Sequence, residues 1–266
     1  MERNWKKYWL IFKLSWQTVL EYRVDLFFNI LRTSVIPFFM IFFWLALFKD
    51  KQEIVGFNYS SMFIYYLGVL LLYSNNSGYA AEFISNQIKN GTISNHLLKP
   101  LGYFNLVFFS IFSSDLFSFI LRLIICILIL TTLPFDFSLK SINILFFLLF
   151  LILGYLINFI LNILISLTAF TMTENFMLRL SLNYLIRFFN GFMFPLSFFP
   201  VLLQRISNIL PFKYQFYFPL MILLGKLNTT EIVAGGLGSI LLLLIFNFFT
   251  KYLWEKSLRY YEAVGR

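Results

Sequence analysis

Apolar residues fall in long blocks along this chain, set apart by short polar connections. The blocks are 34–48 (with Leu26–Leu31 ahead of them), 60–80, 104–133, 143–171, 184–203 and 232–250. A bilayer core of ~30 Å takes about 20 helical residues to cross. Each block therefore predicts a membrane span, and the expected fold is an all-α integral membrane protein of about six spans over residues 26–266. The stretch 184–230 fits least simply. Pro195, Pro200, Pro211 and Pro219 bar one uninterrupted helix there. The reading is one span followed by a broken, partly re-entrant helical hairpin over 195–230. Irregular backbone at membrane depth is tolerated where protein or a water-lined cavity covers it.

Two polar-rich segments carry a helical apolar stripe. In residues 1–25, Trp5, Tyr8, Trp9, Phe12, Trp16, Val19 and Leu20 share one helix face, with Lys6, Lys7, Lys13 and Gln17 off it. This predicts an amphipathic helix lying in the headgroup layer of the lipid bilayer, or else a helix packed on a partner. In residues 82–103, Ile84 and Ile88 are a turn apart, Gly91 interrupts, and Ile93, Leu97 and Leu98 resume the face before Lys99 and Pro100. The residue before a proline is pushed out of the helical region. Two short helical pieces with a glycine elbow follow, the second offering an apolar face to a groove on another molecule.

Composition supports the membrane reading: 60% of residues are hydrophobic, 12% charged, and the mean hydropathy is +0.80. The net charge of +9 would suggest nucleic acid in a soluble protein; here it follows from the distribution of basic residues about a membrane. With the N-terminus in the cytoplasm, thirteen of the 21 lysines and arginines fall inside, Arg179 and Arg187 among them. Six fall outside, and Arg32 and Arg122 lie in spans. The positive-inside rule thus puts both termini in the cytoplasm of a multi-pass protein, in a bacterial inner or plasma membrane. No cleavable signal peptide is expected, since the first apolar run begins near Leu26. Cys126 stands alone in an apolar run and reads as a small packing residue.

Polar groups inside spans are candidates for a pathway or for helix packing. Asp115 and Arg122, seven residues apart, lie near one face of the third span, and charges at such depth face protein or water. Two helical turns, about 10 Å, separate them, too far for direct contact. Asn158, Asn162, Ser166 and Thr173 approximate a stripe along the fourth span, of the kind that joins helices. Enzyme chemistry has no footing here. The one histidine, His96, cannot build a metal cluster or an acid–base pair. No G-x-x-x-x-G-K-[ST] loop occurs, so no cofactor is expected on this chain itself. A channel or ion-coupled carrier using Asp115 and Arg122, and a non-transporting scaffold, stay open on these observations.

The sequence Gly91-Thr92-Ile93-Ser94, followed by Leu97-Leu98-Lys99-Pro100-Leu101, resembles the G-x-(I/L)-(S/D)-x-x-L-L-K-P-L signature of a group of type 2 ABC export permeases. The proline segment Phe194–Pro200, Leu210-Pro211-Phe212 and Phe218-Pro219 resembles that group's outer segment, and Arg259–Gly265 its ending. The resemblance implies six spans, an N-terminal interfacial helix and short outer helices. It also implies that Gly91, Ile93, Leu97, Leu98, Lys99 and Pro100 form a coupling helix docked on a separate ATPase subunit. ATP and magnesium would be bound by that partner, and a second permease subunit, identical or related, would complete the pathway.

Overall fold

The computed structural model describes residues 2–73, 76–97, 101–132, 140–172 and 174–259. Eleven α-helices lie among them: α1 (Glu2–Glu21), α2 (Arg23–Leu47), α3 (Tyr59–Leu72), α4 (Asn76–Lys89), α5 (Ser94–Leu97), α6 (Tyr103–Thr132), α7 (Ser141–Ser166), α8 (Phe176–Phe189), α9 (Val201–Ile209), α10 (Tyr217–Leu223) and α11 (Thr229–Leu258). Short 3-10 turns at Leu167–Phe170, Leu196–Phe198 and Pro211–Tyr214 complete the path. Four helices are long and apolar enough to cross a membrane: α2, α6, α7 with its 3-10 extension, and α11. Their outer faces suit lipid. On α11, Leu237, Leu241, Leu244 and Phe248 are all exposed, as expected of a helix whose solvent is hydrocarbon.

α7 is the central post, packed by α4, α10 and α11. Core residues pack along its whole length, with Phe150, Ile157 and Leu161 against Tyr214, Phe218 and Ile232 at mid-height. At the end holding the prolines, Trp44, Phe57, Tyr65, Tyr66 and Leu220 are buried together. The Trp44 indole N–H donates to Tyr66 (3.0 Å), whose hydroxyl donates to the Met193 carbonyl (2.6 Å). Lys226 straps this end, donating to the Gly56 carbonyl with its ammonium 4.1 Å above the Phe57 ring. At the end holding the Gly91 elbow, Ile84, Ile88, Ile93, Tyr103 and Val107 form a second core. Trp254 of α11 closes it, stacked parallel on Tyr103 at 5.4 Å.

The structure corrects the span assignment in two places. The block 60–80 is not one helix: α3 stops at Leu72, Tyr73 is extended, and α4 starts at Asn76. The break is supported because Arg122 donates to the Tyr73 carbonyl, which leaves the helical hydrogen-bond pattern there. In 184–203 the break falls earlier than the prolines suggested. α8 begins earlier, at Phe176, and ends at Phe189, where Gly191 takes a φ of +88°. The turn is fastened on three sides. Tyr65 donates to the Gly191 carbonyl (2.6 Å), the Tyr217 N–H to the Asn190 carbonyl (2.9 Å), and the Phe192 N–H to the Asn190 side chain (2.9 Å). Beyond it, each proline starts a short element. Pro195 and Pro200 precede Leu196–Phe198 and α9, Pro211 opens its 3-10 turn, and Pro219 sits in the first turn of α10.

α1 divides its apolar residues. Tyr8, Phe12, Trp16 and Val19 are half-buried, the first three with their rings against Phe109, Phe112 and Phe117 of α6, while Trp9 and Leu20 of the expected stripe face outward with Leu10 and Leu14. Ser113 donates to the Phe12 carbonyl (2.8 Å) and the Gly102 N–H to Tyr8 (3.1 Å). The contacts advance in the same direction along both helices, so α1 runs beside the first half of α6.

Candidate functional site

The α3–α4 break sits beside a chamber of about 400 Å³ bounded by α6, α7, α8 and the segment around Gln215. Its walls are mainly apolar and aromatic, with Phe108, Phe112, Phe119 and Phe216 among them. Into this surface project Asp115, Arg122, Asn158, Asn183, Arg187, Asn190 and Gln215. A largely apolar pocket with a few convergent polar groups is the usual form of a small-molecule site.

α6 supplies Asp115 and Arg122 to the same chamber, and each is engaged by a tyrosine. Tyr155 of α7 donates to the Asp115 carboxylate at 3.0 Å. Arg122 is 2% exposed and holds the Tyr73 carbonyl, with its guanidinium 5.9 Å from the Tyr73 ring. Arg187 also reaches Tyr73, donating to its hydroxyl at 3.1 Å and lying 5.7 Å from the ring centre. Two guanidiniums thus converge on one tyrosine where the backbone leaves the helix. The sequence count set Arg187 beside Arg179 at an aqueous edge. In the structure it lies eight residues, about 12 Å, farther along α8, because that helix starts at Phe176.

Of the stripe on α7, Asn158 borders the chamber, whereas Asn162 and Ser166 are fully buried nearer the elbow. Asn162 donates to the Asn158 carbonyl (2.9 Å) and Ser166 to the Ile163 carbonyl (2.6 Å), both within their own helix. Thr173 lies outside the described residues. A second hollow of about 730 Å³ lies between α1, α2 and α6, lined by Ser15, Thr18, Asn29, Arg32, Ser110, Ser114 and Ser118. Asp115 borders both hollows.

The elbow has the expected two helical pieces, α4 and α5, with Gly91 between them at φ +71°. Ile93 departs from expectation. It is fully buried in the chain's own core with Ile84 and Ile88, so it anchors the elbow and offers no face to a partner. Gln87 is the hub: its carbonyl accepts from the Ile93 N–H (3.1 Å), its side chain accepts from Tyr103 (2.7 Å) and meets His96 at 3.2 Å. Asn90, Thr92 and Asn95 form the exposed side. Leu97 ends α5; Leu98, Lys99 and Pro100 lie outside the described residues.

Sequence reasoning missed Tyr73, Tyr155, Arg187, Asn190 and Gln215. The Asn190-Gly191 pair was a legible turn signal; the tyrosines carried none, since they sit in apolar runs. No group of three or more His, Cys, Asp or Glu residues suited to a metal occurs among the described residues.

No curated protein sequence matches the chain. Residues 34–265, which hold α6, α7, α11 and the second half of α2 together with the chamber and the elbow, match the family model described as ABC-2 family transporter protein. The chain therefore belongs to the ABC-2 transporter family and is a transmembrane permease of an ABC transporter.

Proposed function

We propose that this permease is the membrane half of an ATP-driven exporter, completed by a second permease subunit, identical or related, and by two ATPase subunits. Those partners would bind ATP and magnesium, since this chain has no phosphate-binding loop. The six-span reading takes α2, α3 with α4, α6, α7, α8 with its following turn, and α11 as the crossings. Both termini and the elbow then lie in the cytoplasm of a bacterial membrane. The proline segment forms a broken hairpin dipping back from the outer face, and α1 runs along the cytoplasmic half of α6.

The observation that carries this reading is the wiring of the elbow. A load applied at Asn90, Thr92 and Asn95 passes through Gln87 and buried Ile93 into α4 and α6. α4 ends about 21 Å away at the Tyr73 break, which Arg122 of α6 holds. ATPase closure would thus shift the two helices that meet at the chamber and open it to the far side. The motion selects between two packings of existing helices.

The test is co-purification with the cognate ATPase subunit and ATP-driven flux in proteoliposomes. Leu97→Asp with Leu98→Asp is expected to abolish the complex while leaving membrane insertion intact. Gln87→Leu is expected to retain the complex and hydrolyse ATP with little transport. Flux by this chain without any ATPase, or a complex indifferent to the leucine changes, would overturn the reading.

A further inference from the structure

The chamber holds more positive than negative charge, and its unused hydrogen-bonding capacity is of donor type. Arg122 and Arg187 both border it, against one carboxylate, Asp115, which Tyr155 engages. Among the described residues neither arginine forms an ion pair; the one pair found is Lys89–Glu174, at the elbow end. Two buried N–H groups at the chamber lack a partner among the described residues: Arg122 Nε and Gln215 Nε2. A guanidinium 2% exposed, with a free N–H, is costly unless an acceptor arrives. Asn158, Asn183 and Asn190 add amides to the same lining. The remaining wall is aromatic and aliphatic, suited to a hydrocarbon chain.

From this combination we infer that the chamber binds an anionic amphiphile, its charged head held by Arg122 and Arg187 beside Tyr73 and its apolar tail against the phenylalanine wall. A bare anion would leave the aromatic surface unfilled. A neutral amphiphile would leave one positive charge in excess, since Asp115, which attracts Arg122, offsets only one of the two guanidiniums. A cationic one would face two like charges in a medium of low dielectric. Arg187 is the adjustable contact. Its bond to the Tyr73 hydroxyl is to a side chain that rotates, whereas Arg122 is tied to backbone. Guanidinium bonds to phosphate or carboxylate are among the stronger charge-assisted pairs.

This assignment rests on the permease reading but is tested without an ATPase, so the two fail separately. The full chain in neutral maltoside micelles is titrated with dodecyl phosphate, dodecanol, dodecyltrimethylammonium and inorganic phosphate, with bound molecules counted by native mass spectrometry. Dodecyl phosphate is expected to bind at least about tenfold more tightly than the other three. Arg187→Gln is expected to weaken dodecyl phosphate by about tenfold or more and leave dodecanol unchanged. Arg187→Lys is expected to fall between. Equal binding of dodecanol overturns the anionic head, and equal binding of inorganic phosphate overturns the tail. A folded Arg187→Gln protein with undiminished dodecyl phosphate affinity overturns the site. Should Arg187→Gln fail to fold, the four-ligand series on the unaltered chain decides.

Discussion

Gly154 gives the sharpest test of how the chamber's wall is built. It lies in α7, borders the chamber, and lets the backbone at Tyr214 and Gln215 approach closely. A Cβ added there would lie 2.3 Å from the Tyr214 carbonyl oxygen, 3.2 Å from its carbon and 3.3 Å from Gln215 Cα. Since Cβ atoms keep 3.0 Å or more from such neighbours, Gly154→Ala must part the two segments by ~0.7 Å, and no side chain can rotate aside to allow it. Overpacking of this kind costs ~1–3 kcal/mol, and rigid backbone on the far side sets the upper value. Alanine recovers ~1 kcal/mol in helix propensity. The net is a destabilisation of ~2 kcal/mol, a fall of about 4–8 °C in Tm for a chain of this size. Gly236→Ala on α11 is the control. Its added Cβ would meet only Phe150 Cζ at 3.7 Å, an ordinary contact, so Tm should hold or rise. Thermal unfolding of both variants in maltoside micelles, followed by intrinsic fluorescence, measures the difference. A Gly154→Ala protein as stable as Gly236→Ala would refute the close approach and with it the chamber's boundary.

Three further outcomes are expected. Tyr65→Phe removes the 2.6 Å bond to the Gly191 carbonyl and leaves a buried acceptor unpaired, lowering stability by ~1–3 kcal/mol in the same melt. Trp254→Ala empties the stack on Tyr103 and the edge contact with Phe104 at 4.6 Å. It should cost ~2–3 kcal/mol, somewhat below a fully buried tryptophan because this one is half-buried. Lys89→Ala should change stability by less than ~0.5 kcal/mol in the same melt, because its partner Glu174 is 75% exposed and solvent screens the pair; a larger drop would refute that screening.

The long blocks around α2, α6, α7 and α11 were legible because a run of apolar residues has few alternatives at such length. Gly91 was legible too, since only a glycine punctuates an otherwise continuous helical stripe there. The joint at Tyr73 was not. Its carbonyl is satisfied by Arg122, 49 positions away, and no local pattern announces a partner so remote. Ile93 shows the complementary difficulty. An apolar stripe states that a residue is buried, but not against what; the answer lay in Ile84, Ile88 and Val107 of the same chain. The spacing of Asp115 and Arg122 read them onto one helix face, yet the tyrosines that engage them come from α7 and the α3–α4 joint, which only tertiary packing brings near.

The Trp254 stack has a consequence for biogenesis. The nest beneath the elbow is roofed by a residue roughly 150 positions downstream of Tyr103, so at ordinary elongation rates it stays open for about 8 to 30 s while the ribosome finishes the chain. During that interval the nascent protein exposes Tyr103 and Phe104 at the membrane edge, a window in which an insertase or protease would meet an unfinished permease.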